Sequence, residues 1–250
     1  MNSSIYGWHL PPNVSAHGAA IDQLIHVVHW FMIALFIGWG IFLLYTLIRF
    51  RERPGRTASY ESAKSKLPKL VEISVVLFEV FLLIGLSIPI WSKVKNEFPP
   101  AADSLVVRVV AQQFVWNIHY PGPDRLFGKS DPSLISDSNA LGIDWNDPNA
   151  KDDIASINQF HFPVNKPVIV YLSSKDVIHS FAIPVLRVKQ DAIPGMRIPV
   201  WFEAVQTGQF EIACAQLCGV GHTLMKGYVS IDTPEEFENW VKEQEAAKNL

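Results

Sequence analysis

Two stretches of the chain are apolar on every side, and most of the sequence beyond them alternates in short runs. From Leu24 to Ile48, 25 residues pass without Asp, Glu, Lys or Arg. As a helix rising about 1.5 Å per residue this stretch reaches roughly 37 Å, enough to cross a bilayer with some tilt. Leu70 to Trp91 is a second such stretch, 22 residues whose only charges are Glu72 and Glu79. Beyond it the period changes to two. Alternation in Leu105 to Tyr120, Pro167 to Leu172, Pro199 to Val205, Gln209 to Ala213 and Gly227 to Asp232, with Gly, Pro and Asn between them, predicts short strands forming a sandwich or small barrel. From Pro121 to Asn158 the pattern stops in favour of Pro, Gly, Ser, Asn and seven Asp, which predicts a long loop too polar for the core. Thr233-Pro234-Glu235-Glu236 then supplies an N-cap, a first-turn proline and a capping-box Glu. Phe237, Trp240 and Val241 come next at helical spacing, so the last element is an amphipathic helix.

Charge orients this arrangement. Mean hydropathy is positive, +0.16, although 18% of residues are charged, so the apolar surplus must be local; it lies in the two long stretches. Between them stand Arg49, Arg51, Arg53, Arg56, Lys64, Lys66 and Lys69 against Glu52 and Glu61. A basic loop between spans is expected on the cytoplasmic side, which puts both termini and everything after Trp91 outside. A secretory signal is the competing reading of the first stretch, but no Lys or Arg precedes it and no small-residue cleavage site comes after it. The expected organisation is an outer segment 1–23, spans 24–48 and 70–91 joined by a basic loop 49–69, an outer β domain 92–232 and a helix 233–250. A buried carboxylate such as Glu79, seven residues beyond Glu72 on the same helix face, must face protein and be paired or protonated. His26 and His29 are expected in interfacial or packing roles rather than as haem ligands.

The candidate chemistry is concentrated near the C-terminal end. Cys214, Gln216, Cys218, His222 and Met225 fall within twelve residues, and His179 stands 35 residues before the first Cys. Two cysteines in an oxidising compartment would by count alone suggest a disulfide. Met225 alone would be core filler, and His179 alone a satisfied interior histidine. A disulfide, however, has no use for a His four residues after the second Cys and a Met three after that. Thiolates, imidazoles and a thioether form a soft donor set that suits copper in both oxidation states. Two coppers sharing both sulfurs would spread charge over the pair, the property of an electron-transfer centre.

The run Cys214-Ala-Gln-Leu-Cys218-Gly-Val-Gly-His222-Thr-Leu-Met225 resembles the dinuclear CuA loop of the cytochrome c oxidase subunit II family. Asp176-Val-Ile-His179-Ser-Phe-Ala-Ile-Pro184, then Asp191-Ala-Ile-Pro-Gly195, resembles that family's His-Ser ligand strand and the segment after it. The resemblance implies a membrane-anchored all-β protein: a two-helix transmembrane hairpin, an extracytoplasmic cupredoxin domain (a Greek-key β-barrel) and a C-terminal helix. It implies two copper ions bridged by Cys214 and Cys218, with His179 and Met225 completing one, and His222 and the backbone carbonyl of Gln216 completing the other. Most relatives carry Glu where this chain has Gln216, and that Glu helps hold magnesium at the interface with subunit I. A neutral amide is a weaker magnesium ligand, so no side-chain magnesium ligand is expected here.

By the same resemblance the chain is the electron-input subunit of a haem–copper terminal oxidase in the bacterial cytoplasmic membrane. It would take single electrons from cytochrome c and pass them to haem, held only in subunit I, where O2 is reduced to water and protons are pumped. Expected partners are subunit I and the other oxidase subunits, cytochrome c or an attached cytochrome c domain, and the bilayer; no nucleic acid is expected. Ala111-Gln-Gln-Phe-Val-Trp116-Asn-Ile-His-Tyr120 resembles the family's aromatic strand, with Phe114 at the position where the family's first Trp receives the electron and Trp116 at a later Trp position. Leu70-Val-Glu72-Ile resembles the segment whose Glu marks a proton-pathway entrance. The acidic stretch, with Asp124, Asp131, Asp137, Asp144, Asp147, Asp152 and Asp153, would steer a basic partner. A copper-free quinol oxidase subunit II is the alternative, disfavoured by the intact ligand set. Nitrous oxide reductase should be soluble with a second, histidine-rich copper domain, and a copper-delivery protein would use one exposed site without two spans.

Overall fold

The computed structural model describes residues 7–58, 60 and 65–248. Residues 1–6, Glu61 and Lys64 of the basic loop, and residues 249 and 250 lie outside the described residues. The chain divides into two compact units, one of residues 20–93 and one that joins residues 1–19 to 94–250.

The first unit is a helical hairpin. Helix α1 (Gly18–Arg49) and helix α2 (Leu67–Asn96) are both long and apolar enough to cross a membrane. Phe31 of α1 meets Phe78 of α2 with ring centroids 4.6 Å apart. Inside α2, residues Phe81–Ser87 widen into a π-helix. Pro89 explains the widening: it has no N–H to give, and its ring would clash with the carbonyl four residues earlier in a regular α-helix. Ile88 N–H reaches Leu83 O instead, and Ser87 Oγ donates to Leu82 O at 3.0 Å. In the first half of α1, His29 Nδ1 lies 2.7 Å from Ile25 O, and His26 Nε2 accepts from Trp30 Nε1.

The second unit is a sandwich of two five-stranded sheets. Its strands are β1 (Leu105–Gln112), β2 (Val115–Tyr120), β3 (Ile154–Ile157), β4 (Gln159–Pro163), β5 (Pro167–Ser174), β6 (His179–Ile183), β7 (Val188–Ala192), β8 (Ile198–Glu203), β9 (Gly208–Cys214) and β10 (Lys226–Asp232). One sheet runs β3-β2-β1-β5-β8 and the other β4-β10-β9-β6-β7. Both are mixed, since β1 and β5 are parallel, as are β10 and β4. Trp116, Phe160, Phe162, Phe181 and Phe202 fill the space between the sheets. Helix α3 (Pro234–Lys248) covers one side of the sandwich. Its capping box forms as expected, with Glu236 Oε2 accepting from Thr233 N at 2.8 Å and Thr233 Oγ1 accepting from Glu236 N at 3.3 Å. Trp240 stacks on His161 and meets Tyr120 edge to face.

Three features depart from the sequence expectations. The alternating run Leu105 to Tyr120 is two antiparallel strands, broken at Gln113 and Phe114 without a Gly, Pro or Asn to signal the turn. The stretch 121–158 is not a wholly polar loop: it contains β3, and Ile143, Ala150, Asp147 and Asp153 are buried. Its polarity is used inward. Asp153 Oδ2 lies 2.6 Å from His119 Nε2 and accepts from Gly128 N, Asp147 accepts from Lys129 N, and Asp124, Asp131, Asp144 and Asp152 accept from nearby backbone N–H groups. Finally, residues before α1 join the sandwich. Val14 N donates to Val185 O, Ala16 N to Glu203 O, and Val205 N to Val14 O, an antiparallel contact centred on Ser15 and Ala204.

Candidate metal centre

Three neighbouring strands of the second sheet, β10, β9 and β6, end together and deliver the donor side chains. His179 opens β6, Cys214 closes β9, and Met225 immediately precedes β10. The ladder sets their register: Phe181 pairs with Cys214, Lys226 with Ala213, Cys214 N donates to Met225 O, and Ala215 N to Ser180 O. Between Cys214 and Met225 the chain loops outward through Gln216, Cys218 and a single turn of 3₁₀ helix that begins at His222.

The structure brings all six expected donors together. The two sulfur atoms are 3.8 Å apart, far beyond the roughly 2.05 Å of a disulfide, and both cysteines are free thiols. His179 Nδ1 lies 4.0 Å from Cys214 Sγ, and His222 Nδ1 lies 3.7 Å from Cys218 Sγ. Met225 Sδ is 3.8 Å from Cys218 Sγ, and the Gln216 carbonyl oxygen is 3.2 Å from Cys214 Sγ. One imidazole thus flanks each sulfur, with the carbonyl beside Cys214 and the thioether beside Cys218. His179, Cys214 and Cys218 alone already place their ligand atoms within 4.8 Å of one another. A set of two thiols, two imidazoles, a thioether and a carbonyl fits copper by softness and by count.

Electrostatics prepare the set unequally. Burial, reinforced by the neighbouring Cys214, pushes the Cys218 thiol up to about 11, so a metal must displace its proton. His179 is wholly buried, and its Nε2 faces Asp176 Oδ1 at 2.8 Å. Burial alone would raise the Asp176 carboxyl, but the N–H groups of Gln113, His179 and Val177 outweigh it and hold the group below the usual carboxylate range. Sequence reasoning did not single out Asp176 or Gln113; the only signal was the place of Asp176 in the ligand-strand motif.

The other expected site residues lie around or away from this cluster. Phe114, half-buried, lies against the ligand loop: a Cβ on Gly221 would sit 2.5 Å from Phe114 Cδ2, and one on Gly219 would sit 3.1 Å from its Cζ. Trp116 is wholly buried, edge to face with Phe181 and 6.3 Å from the His179 ring centroid. It is packed behind a ligand, with no exposed surface in this chain. The Gln216 side chain is exposed. Glu72 and Glu79 are exposed residues of α2 and no part of this cluster.

Residues 105–231 match the family profile described as cytochrome c oxidase subunit II, periplasmic domain. The "Alternative cytochrome c oxidase subunit 2" of Bradyrhizobium diazoefficiens is 31% identical over 245 residues, 97% of this chain and 86% of that protein. "Cytochrome c oxidase subunit 2" of Cereibacter sphaeroides is 28% identical over 239 residues, 86% of this chain and 75% of that protein. Among solved structures, the periplasmic domain of subunit II of cytochrome oxidase from Bradyrhizobium japonicum is 30% identical, covers 60% of this chain and 99% of that one, and has a TM-score of 0.45. With two apolar helices, a cupredoxin-like sandwich and a profile match over half its length, the chain belongs to the cytochrome c oxidase subunit II family.

Proposed function

We propose that this chain is the electron-input subunit of a cytochrome c oxidase. It accepts single electrons from cytochrome c, diffusing or attached, and passes them to haem in subunit I, where O2 is reduced to water and protons are pumped. The observation that carries this reading is the convergence of six soft and borderline donors around two free sulfurs 3.8 Å apart. A bound copper pair sharing those sulfurs would supply a one-electron redox centre with little rearrangement between its states.

The chain's own residues do the rest. Cys214 and Cys218 would be the shared ligands of such a pair, and His179, Met225, His222 and the Gln216 carbonyl would complete its donor set. The ends of β6, β9 and β10 hold these donors on a rigid scaffold, which keeps the geometry fixed through each transfer. Buried Met225 and Trp116 and the Phe114 ring exclude water from the inner side. On the outer side Leu217, Val220 and Leu224 are exposed apolar residues of the ligand loop, a face suited to a protein partner. Gln216 offers magnesium only a neutral amide. Glu72 is assigned to the mouth of a proton path into subunit I by its motif, and Phe114 to the electron's point of arrival.

Two observations support a two-span anchor in the bacterial cytoplasmic membrane with the copper domain outside. The residues just before α1 are hydrogen-bonded to β8 and its flank, so the chain leaves and returns to the same side. The described basic residues between the helices and at their facing ends, Arg49, Arg51, Arg53, Arg56, Lys66 and Lys69, fit the cytoplasmic face.

Copper analysis and electron paramagnetic resonance of the purified native complex test the central claim. Two coppers per subunit sharing one unpaired electron are expected. A single copper, or a Cys214–Cys218 disulfide in the native protein, would overturn it.

A further inference from the structure

The donor cluster belongs to one sheet, yet two of its parts are held by the other. The turn between β1 and β2 carries Gln113, whose side-chain Nε2 donates to the Cys218 carbonyl at 2.6 Å. The backbone N–H of the same residue donates to Asp176 Oδ2 at 2.7 Å. Asp176 sits where the chain crosses from β5 in the first sheet to β6 in the second, beside the β1–β5 ladder that Lys175 N extends to Ala111 O. Its Oδ1 accepts from Val177 N at 2.7 Å and faces His179 Nε2 at 2.8 Å. We propose that Gln113 and Asp176 form a single clamp from the first sheet that fixes the His179 ring and the Cys218 main chain in the donor cluster. Both are positioning residues, and the inference rests on the copper reading above.

Asp176 decides the tautomer of His179. A neutral imidazole has one N–H and one lone pair, and the partner of the N–H determines which nitrogen can bind a metal. Asp176 is an acceptor only, so it selects the form with the proton on Nε2, leaving the Nδ1 lone pair directed at the sulfurs. Without it, the wholly buried ring would hold either an unsatisfied N–H or the wrong tautomer.

Gln113 acts on both sides of the cluster. Its backbone N–H orients the Asp176 carboxylate that orients His179, while its side chain fixes the peptide from which the Cys218 thiol projects. Gly219 makes this approach possible, because a Cβ there would lie 2.7 Å from Gln113 Nε2 and its φ is +138°. A side chain at residue 219 would push the clamp away from the loop.

The test uses the full oxidase carrying Asp176→Ala, Asp176→Asn, Gln113→Ala or Gln113→Glu. Copper retention against a copper(I) chelator and the histidine nitrogen couplings in the paramagnetic spectrum are measured together. Removing the outer partner of a metal-binding His costs about 10–100-fold in affinity, so Asp176→Ala should lose copper that much more readily and change the nitrogen coupling. Asp176→Asn keeps one acceptor oxygen for His179 but sets an NH2 against the Gln113 N–H, so it should fall between the parent and Asp176→Ala on both measures. Gln113→Glu keeps the size but loses the Nε2–H donor; it and Gln113→Ala should weaken retention and alter the Cys218 proton couplings. A role confined to folding would lower the melting temperature without moving these spectra. The two isosteric variants decide the matter if the alanine variants do not accumulate. Parent-like retention, within about twofold, and unchanged spectra in all four variants would overturn the clamp while leaving the copper reading intact. Should the parent itself bind no copper, that reading fails instead. The clamp is then judged by nitrogen resonance of the histidines in metal-free protein, where an Nε2–H tautomer at His179 should be present in the parent and lost in Asp176→Ala.

Discussion

At the scale of single residues, the ligand loop depends on Gly221 for a steric reason that does not extend to every glycine nearby. Gly221 has a negative φ, so its need is purely one of space: an added Cβ would run into Phe114 at 2.5–2.8 Å. Gly195 has φ +75° but open space around its Cβ position. Gly195→Ala should therefore cost only the backbone strain, about 1 kcal/mol. Gly221→Ala should cost about 1–3 kcal/mol through overpacking, because it displaces Phe114 from the loop. Thermal melts and copper content of the purified protein check the pair, and the outcome against this account is a Gly195 variant worse than the Gly221 variant on both measures. The donors themselves were legible in the sequence because five of the six lie in one short run whose spacing survives any fold. Gln113 and Asp176 were not, since their partners are 105 residues away in Cys218 and 63 residues away in each other. Only closure of the two sheets brings those groups into reach.

At the scale of elements, β2 and β5 fell within runs read as alternating although most of their residues are buried, and the plainest signals came from strands with one face buried and one exposed or half-exposed. β1 has that pattern along its length and β10 largely so. β6 did not show, because all five of its residues are buried, which erases the period of two. β3, with four residues, is too short to establish one, and the Asp-rich stretch before it hid the buried anchors it contains. Asp153 is the clearest of these. It is wholly buried, and removing its carboxylate would strand both His119 Nε2 and Gly128 N. Asp153→Ala should destabilise the outer unit by about 3 kcal/mol, whereas exposed Asp137→Ala should change it by less than about 0.5 kcal/mol. Equal melting temperatures for the two variants would mean that the acidic stretch is held by something other than this carboxylate. Helix α3 is fixed mainly by packing rather than by its cap. Trp240→Ala removes a half-buried indole from His161, Tyr120 and Phe237 and should cost about 2 kcal/mol, more than the roughly 1 kcal/mol expected for Thr233→Ala. Proteolysis near the C-terminus should rise more in the first variant than in the second.

At the scale of the whole molecule, the proposed sidedness rests on how the chain is tied together as well as on hydropathy. Hydropathy gives two candidate spans but does not say whether both cross. The antiparallel contact of residues 14–16 with β8 and its flank ties the entrance of α1 to the sandwich. A chain tied in this way crosses an even number of times if it crosses at all, and the proposed two-span anchor meets that condition with its two candidate helices. In the proposed anchor the intervening loop, carrying Arg51, Arg53 and Arg56 in its first half, is on the opposite face. Thr57 in that loop and Ser138 in the acidic stretch are both exposed, and neither touches the donor cluster. In a background with Cys214→Ser and Cys218→Ser, cells carrying Ser138→Cys should react with a membrane-impermeant maleimide while intact, given an opened outer envelope. Cells carrying Thr57→Cys should react only after the inner membrane is breached. Labelling of both positions in intact cells would mean that the basic loop does not cross, and the hairpin would have to lie on the bilayer rather than span it. The outer location of the copper centre, and with it access for a cytochrome on that side, depends on that result.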